Sequence, residues 1–243
     1  MCGSHAHMVS GRDTARWIRQ HCSRTWSAWP WGPPPGSFPR RITSRSQCRL
    51  LSTVAPGPAS LPASLHPRVA GTACSLRERG YAVLDNVLGE TWCHLLRDDI
   101  ITLAERQALG RNATHLVQPD GTLQLLAKRA IFETELRDPS LRAACPWLSQ
   151  LATDNLLSAG LTDALQGRQL PRWTIKIQLN GGGGACFPFH FDSDRALDSR
   201  VVTAILYLNP DWQPPHGGQL QLLPFPLAPV QVDPVFDRLC APR

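Results

Sequence analysis

The stretch WTIKIQLNGGGGACFPFHFD, residues 173–192, decides which fold this chain adopts. Residues 173–180 alternate apolar and polar side chains, the period of a half-buried β-strand. Consecutive glycines at residues 181–184 then predict a turn. On a following extended strand, His190 and Asp192 would present an imidazole and a carboxylate on one face. The stretch therefore predicts two strands joined by a turn, with two corners of a metal site on the second strand.

The segments on either side of this stretch predict an α+β fold. Apolar residues recur at helical spacing over residues 90–109 and 141–165, which predicts an amphipathic helix and then one or two more. Further strands are predicted at residues 81–84, 201–208, 219–223, 230–232 and 236–240. Because most strands follow the helices, we expect helices that buttress a β-sandwich or barrel.

The basic character of the chain is confined to its N-terminal third. Through Ser75 there are nine arginines, no lysine and one acidic residue, whereas residues 76–243 hold 16 basic and 18 acidic side chains. Residues 1–74 are predicted to be a disordered Arg/Ser/Pro-rich extension, with the folded domain over residues 75–243. The extension resembles an organelle transit peptide in composition, which indicates an intracellular protein of mitochondria or plastids. An untargeted cytoplasmic tail is the alternative, and no nucleic-acid partner is predicted for the nearly neutral domain.

Cysteine spacing and hydropathy indicate the kind of protein. Eight cysteines are scattered without a CxxC pair, which fits neither a disulfide framework nor a zinc ribbon. We expect most of them to pack as small buried thiols in a reducing compartment. No apolar run approaches the roughly 20 residues that span a bilayer, so no transmembrane helix and no membrane partner are predicted.

Motifs after the His190 and Asp192 pair resemble those of a known enzyme family. These are YLNPDW at residues 207–212, GGQL at 217–220 and DPVFDRL at 233–239. With the preceding H-x-D, they resemble the prolyl 4-hydroxylase-like branch of the iron(II)/2-oxoglutarate-dependent dioxygenases. The resemblance covers residues 75–239 and implies a double-stranded β-helix, a jelly-roll of the cupin type, buttressed by the N-terminal helices.

The resemblance implies a cofactor set and a reaction. His190 and Asp192 would be Fe(II) ligands, and the Tyr207 hydroxyl would lie near the distal carboxylate of 2-oxoglutarate, the cosubstrate. A core aromatic whose hydroxyl is satisfied elsewhere is the alternative for Tyr207. Ascorbate is a further candidate cofactor. The implied activity is hydroxylation of a C–H bond in a peptidyl, prolyl-like substrate or in a small molecule.

Other residues compete for functional roles. His216 is a candidate third ligand, but it precedes a Gly-Gly turn where the family does not rely on a histidine. Residues 181–184 follow a strand as a phosphate loop would, yet no Lys-Ser/Thr ends them, which favours a turn over the site. Arg200 could meet the substrate, although a solvated arginine is the simpler interpretation.

The sequence departs from the family pattern at its C-terminal end. The family places a distal histidine and then a 2-oxoglutarate-anchoring Arg or Lys beyond the DRL element, whereas only residues 240–243 follow it here. We therefore expect a C-terminally truncated domain that lacks its last strands. Asn180 also stands where many relatives carry a tyrosine. The alternatives to an active dioxygenase are an inactive binding or regulatory module and, less well supported, a zinc hydrolase.

Overall fold

The computed structural model of the chain describes residues 3–11, 60–170, 172–188, 190–191 and 200–243, with the backbone alone for residues 3–11 and 115–117. The helices are α1 (Leu65–Ala70), α2 (Ala73–Glu78), α3 (Glu90–Glu105), α4 (Pro139–Ala144), α5 (Pro146–Thr153) and α6 (Leu156–Ala164). The strands are β1 (Gly3–Gly11), β2 (Tyr81–Asp85), β3 (Gly110–Val117), β4 (Leu123–Glu135), β5 (Trp173–Asn180), β6 (Arg200–Tyr207), β7 (Leu220–Leu222), β8 (Val230–Val232) and β9 (Arg238–Pro242). The predicted α+β class is confirmed.

Helix α3 follows from the apolar periodicity of its sequence. Trp92, Leu96, Ile100 and Leu103 are buried, and their spacing places them on one helical face. The second predicted helical region is divided into α4, α5 and α6. Pro146 begins α5, where the missing N–H of a proline costs no hydrogen bond.

The described strands form two antiparallel sheets. The larger has the order β2-β9-β6-β1-β5-β4-β3, and the smaller pairs β7 with β8. The backbone of β1 pairs with both β5 and β6. Strands β2 and β3 are the edges of the larger sheet. All of these pairings are antiparallel. Because β1 pairs with both β5 and β6, these two predicted strands lie in one sheet.

An apolar interior lies between β6 and β9 of the larger sheet and the β7–β8 pair. We call it the intersheet cluster, and its buried members are Ile205, Tyr207, Leu220, Leu222, Val232 and Cys240. Leu220 and Leu222 lie on one face of β7 because side chains two residues apart point the same way. Burying a side chain of this size stabilises the fold by about 1.5–3 kcal/mol.

Two parts of the secondary structure differ from the sequence prediction. The predicted strand around His190 is wrong for the described residues there, since residues 185–188 and 190–191 have no regular secondary structure. Pro188 lacks the N–H that a strand partner would need. The hairpin of β3 and β4 was not predicted, because its register shifts between Arg111 and Ala113 and interrupts the alternation of its side chains.

Ordered structure begins earlier than residue 75. Helix α1 and strand β1 lie in the segment that the sequence predicted to be a disordered extension. Leu65 and Val69 of α1 are buried, and the helix packs closely on α6, where a Cβ on Gly160 would lie 2.9 Å from Val69 Cβ. His66 Nε2 lies 2.9 Å from an oxygen of Asp163 at the same contact. These contacts show why residues 65–70 fold with the domain.

The cysteines agree with the prediction in part. Cys93, Cys145 and Cys240 are free and buried, as expected of small apolar side chains, and Cys74 is free and exposed. Cys186 is disulfide-bonded, against the expectation of reduced thiols. Within the described part of the chain, no helix is long and apolar enough to cross a bilayer.

Candidate metal centre and neighbouring cation

His190 is exposed, and a backbone carbonyl two residues earlier orients its imidazole. Its Nδ1 is 2.8 Å from the carbonyl oxygen of Pro188. Because a carbonyl only accepts, Nδ1 must carry the proton, and Nε2 then carries the ring lone pair. Metal-binding histidines commonly have one ring nitrogen held in this way by a backbone carbonyl. The chemistry of His190 therefore fits a metal ligand that binds through Nε2.

The partner of His190 in the predicted site cannot be placed. Asp192 lies outside the described residues. Among the residues that the structure describes, no three His, Cys, Asp or Glu side chains come together as a metal-binding group. The pairing of His190 with Asp192 therefore stays a prediction.

Tyr207 lies in the intersheet cluster and is 3% exposed. Burial raises the pKa of its hydroxyl well above the ordinary value, with a smaller contribution from Cys240. The hydroxyl is therefore a neutral hydrogen-bonding group at physiological pH. Burial is common to both roles considered for Tyr207, so its place near 2-oxoglutarate also stays a prediction.

The histidine considered as a third ligand has a structural contact. His216 ends the 3-10 helix Pro214–His216, and its Nδ1 accepts a hydrogen bond of 3.0 Å from the backbone N–H of Gln213. This contact closes the turn before Gly217 and Gly218. It accounts for His216 without a metal.

The motif residues after β6 hold loops together. Asn209 donates to the carbonyl of Pro234 at 2.8 Å, and Trp212 Nε1 donates to the carbonyl of Gly217 at 2.9 Å. Asp237 is buried, and its carboxylate accepts from the backbone N–H groups of Leu88 at 2.8 Å and Gly89 at 2.7 Å. These contacts give the YLN, W, GG and FDRL elements a structural reason.

A network of polar side chains centred on Glu133 joins β3, β4 and β5. Lys176 Nζ lies 2.7 Å from Glu133 Oε2, Gln178 Nε2 donates to the same oxygen at 3.3 Å, and Asn112 Nδ2 also donates to it. Burial acts to raise the pKa of Glu133, but the hydrogen bonds, led by that from Lys176, hold it below the ordinary value. We call these four residues the Glu133 network. Its carboxylate is therefore ionised at neutral pH.

Lys128 lies beside this network and reaches the segment that carries His190. Its Nζ is 4.0 Å from the ring centroid of Phe187, and the centroids of Phe187 and His190 are 6.4 Å apart. The pKa of Lys128 is lowered to about 8, first by burial and then by the charge of Lys176, while Glu133 opposes the shift. A cation over an aromatic face is attracted by the ring quadrupole.

A β-bulge presents Lys128. The register shift of β3 on β4 leaves residues 128–131 outside the regular ladder, and Ala130 adopts a φ of 52°. The N–H of Gly181 donates to the carbonyl of Ala130 at 2.7 Å. A Cβ on Gly181 would lie 3.2 Å from that oxygen, so a larger residue directly after β5 would press on the bulge. Bulges of this kind reorient side chains beside functional sites.

The sequence interpretation missed Lys128 and the Glu133 network, although it contains one signal for them. The chain has 25 basic residues, and only Lys128 and Lys176 are lysines. The fold brings both to the same strand pair, on β4 and β5. The signal in the sequence is the rarity of lysine alone, because the convergence of the two lysines depends on the pairing of β4 with β5.

The solved structures similar to the chain include three prolyl hydroxylases. A prolyl 4-hydroxylase from Phytophthora capsici is 31% identical with a TM-score of 0.62, covering 77% of this chain and 60% of that one. A prolyl hydroxylase from Trichoplax adhaerens, in complex with a hypoxia inducible factor oxygen degradation domain peptide fragment, is 20% identical, with a TM-score of 0.61 and coverages of 74% and 79%. A Pseudomonas putida prolyl-4-hydroxylase is 24% identical, with a TM-score of 0.55 and coverages of 72% and 86%.

The similarity is found in structure and is partial in length. The chain spans 60% of the length of the Phytophthora protein. No protein-family model matches the chain, and no curated protein matches it. The helices and antiparallel sheets of this chain are therefore arranged in a fold similar to that of prolyl 4-hydroxylases.

Proposed function

We propose that the chain is a non-haem Fe(II)- and 2-oxoglutarate-dependent dioxygenase that hydroxylates a prolyl-like residue of a peptidyl substrate. The observation that carries the proposal is the 31% identity and shared fold with the Phytophthora prolyl 4-hydroxylase. The complex of the Trichoplax prolyl hydroxylase with a peptide favours a peptidyl substrate over a small molecule. The two packed sheets are consistent with a double-stranded β-helix around the intersheet cluster.

His190 and Asp192 would hold the iron. The protonated Nδ1 of His190 donates to Pro188, so the imidazole is held in the tautomer whose Nε2 can bind a cation. Fe(II), when bound, supplies the oxidising chemistry, in which one oxygen atom of O₂ enters the substrate and the other enters succinate as 2-oxoglutarate loses carbon dioxide. Tyr207 would donate its neutral hydroxyl to the distal carboxylate of 2-oxoglutarate.

The decisive experiment measures iron binding and then turnover by the 243-residue chain. Anaerobic titration with Fe(II) in the presence of 2-oxoglutarate is followed by admission of air with a proline-containing peptide, and succinate and hydroxyproline are quantified. We expect both products. His190→Ala and Asp192→Ala should each weaken iron binding by a factor of about 100 or more, because loss of an outer-shell partner alone costs 10–100-fold.

His216→Ala is the matched control, since His216 has a structural contact with Gln213. It should leave iron binding and succinate release unchanged. Succinate release that survives His190→Ala would refute the assignment of the ligand. Iron-dependent turnover by the unaltered chain would support the proposed activity over the expectation of an incomplete site, whereas an absence of both products would favour the inactive binding module.

A further inference from the structure

We infer that Lys128 binds a carboxylate of the peptidyl substrate, so that the enzyme selects peptides with an acidic residue near the proline to be hydroxylated. The inference rests on the proposed function for the identity of the reaction. It adds a residue that determines specificity and the charge class of the substrate. Position, charge, backbone and neighbouring surface each support it.

Lys128 lies close to the segment that carries His190. Lys128 Nζ lies 4.0 Å from the Phe187 ring centroid, and that ring lies 6.4 Å from the imidazole of His190. The ammonium is therefore no farther from the imidazole than the sum of these two distances. A side chain within two residues of a reacting proline could span this gap in an extended peptide.

The charges around Lys128 are unevenly paired. Lys176 is paired with Glu133 at 2.7 Å, and Asn112 and Gln178 donate to the same carboxylate. Lys128 makes its contact with Phe187 but no ion pair with any described residue. Among the described residues, two ammonium groups thus lie near one carboxylate, and Lys176 is the one paired with it. A carboxylate arriving from the substrate would offset the charge of Lys128.

The backbone that carries Lys128 is irregular. The bulge at residues 128–131 and the close approach of Gly181 hold Lys128 toward Phe187. Ala130 occupies the left-handed region at φ 52°, which is unfavourable for a residue with a Cβ. Such backbone conformations persist where the surroundings enforce them, and they are concentrated at ligand sites.

The surface next to Lys128 favours a peptide. Leu126 lies two residues before Lys128 on the same face of β4 and is 44% exposed. An exposed leucine beside a cation fits a peptide that places an apolar residue next to its acidic one.

The test compares two fluorescein-labelled proline peptides that differ only in Asp or Asn beside a leucine. Their binding to the full chain is followed by fluorescence anisotropy without iron or 2-oxoglutarate. We expect the Asp peptide to bind about 10-fold tighter, as expected for one charge-assisted hydrogen bond. Lys128→Met should abolish this preference, and Lys128→Arg should keep most of it. Arg129→Met, the exposed neighbour on the same strand, should not change it.

Three results would overturn the inference: equal affinity of the unaltered chain for both peptides, equal loss in the Arg129→Met control, or no binding of either peptide. Because the assay contains no iron, a charge preference without turnover would refute the proposed function and leave this inference standing. Turnover without a charge preference would support the proposed function and refute the inference about Lys128. If Lys128→Met weakened binding of 2-oxoglutarate and left the peptides unaffected, the anion would be the cosubstrate and the inference would be wrong.

A second measurement does not depend on a substituted chain. Because the chain contains two lysines, acetylation of each can be followed separately by mass spectrometry of the unaltered protein. The Asp peptide should protect Lys128 from acetylation and leave Lys176 as it was, while the Asn peptide should protect neither. Equal protection of both lysines by either peptide would contradict a specific contact with Lys128.

Discussion

The intersheet cluster and the Glu133 network lie in the same fold and are built on opposite principles. The cluster gathers aliphatic side chains and Tyr207 from both sheets, whereas the network gathers charges and amides on β3, β4 and β5. Contacts in the cluster are non-directional, so its stability scales with the area buried. Contacts in the network depend on each partner, because a buried charge without its partner is costly. The cluster provides stability, and the network provides a defined arrangement of charge beside His190.

The largest expected effect is on the cluster. Leu220→Ala should lower the free energy of unfolding by about 2–5 kcal/mol, because it removes a fully buried side chain and leaves a cavity. Leu227→Ala is the matched control, since Leu227 is 48% exposed and should change stability by less than about 0.5 kcal/mol. Urea denaturation measures both. Similar values for the two variants would show that the cluster is not the stabilising interior.

The network should respond less, and through charge. Glu133→Gln should cost about 1–3 kcal/mol, because it leaves the partly buried ammonium of Lys176 without its partner and removes the negative charge that offsets Lys176 and Lys128. Glu135→Gln, which alters an exposed pair with Arg137, should cost less than about 1 kcal/mol. The two variants are compared by urea denaturation at neutral pH. A neutral Glu133→Gln would mean that the network is solvated.

The backbone that links the two regions can be tested at Gly181. Gly181→Ala should lower stability by about 1 kcal/mol, since its Cβ would lie 3.2 Å from the carbonyl oxygen of Ala130 and would displace the bulge. Gly110→Ala meets nothing closer than 3.9 Å and should be neutral or slightly stabilising. Thermal unfolding reports the difference. The charge preference of peptide binding should also weaken in Gly181→Ala and persist in Gly110→Ala.

The smallest expected effect is a pH dependence of stability. The pKa of Lys128 falls to about 8 in the folded chain from an ordinary value of 10.5. Between these pH values the unfolded chain binds more protons, so stability should rise with pH in the unaltered chain relative to Lys128→Met. The gain should be below about 1 kcal/mol, since Lys128 is partly solvated. Urea midpoints at pH 7 and pH 10 measure it. If the stability of the two proteins changed with pH in parallel, burial would not lower the pKa of Lys128.

The sequence predicted the parts of the fold whose periodicity is regular. The alternation of residues 173–180 became β5, and the apolar face of residues 90–105 became α3. The β3–β4 hairpin was missed because the bulge at residues 128–131 interrupts the two-residue alternation of β4 and because leucines of β4 are exposed. The strand predicted at His190 failed because Pro188 provides no N–H, a local effect that outweighs the alternation around it.

The candidate site could be predicted as residue types and only in part as an arrangement. His190 has the tautomer that a ligand needs, whereas Asp192 lies outside the described residues. Tyr207 is buried, but β6 is buried on both faces, so burial does not distinguish a cosubstrate contact from a core aromatic and its role stays a prediction. The convergence of Lys128 with Lys176 and Glu133 could not be derived, because it depends on pairing strands that are distant in sequence.

The contacts of Asp237 set an order on folding. Its carboxylate accepts from Leu88, 149 residues earlier, and β2 pairs with β9. Both contacts join ends of a very long loop, whose closure is slow and entropically costly. During synthesis the ribosome would release β2 and the start of α3 long before their partners exist. Strand β2 would then lack its hydrogen-bonding partner until β9 had been synthesised.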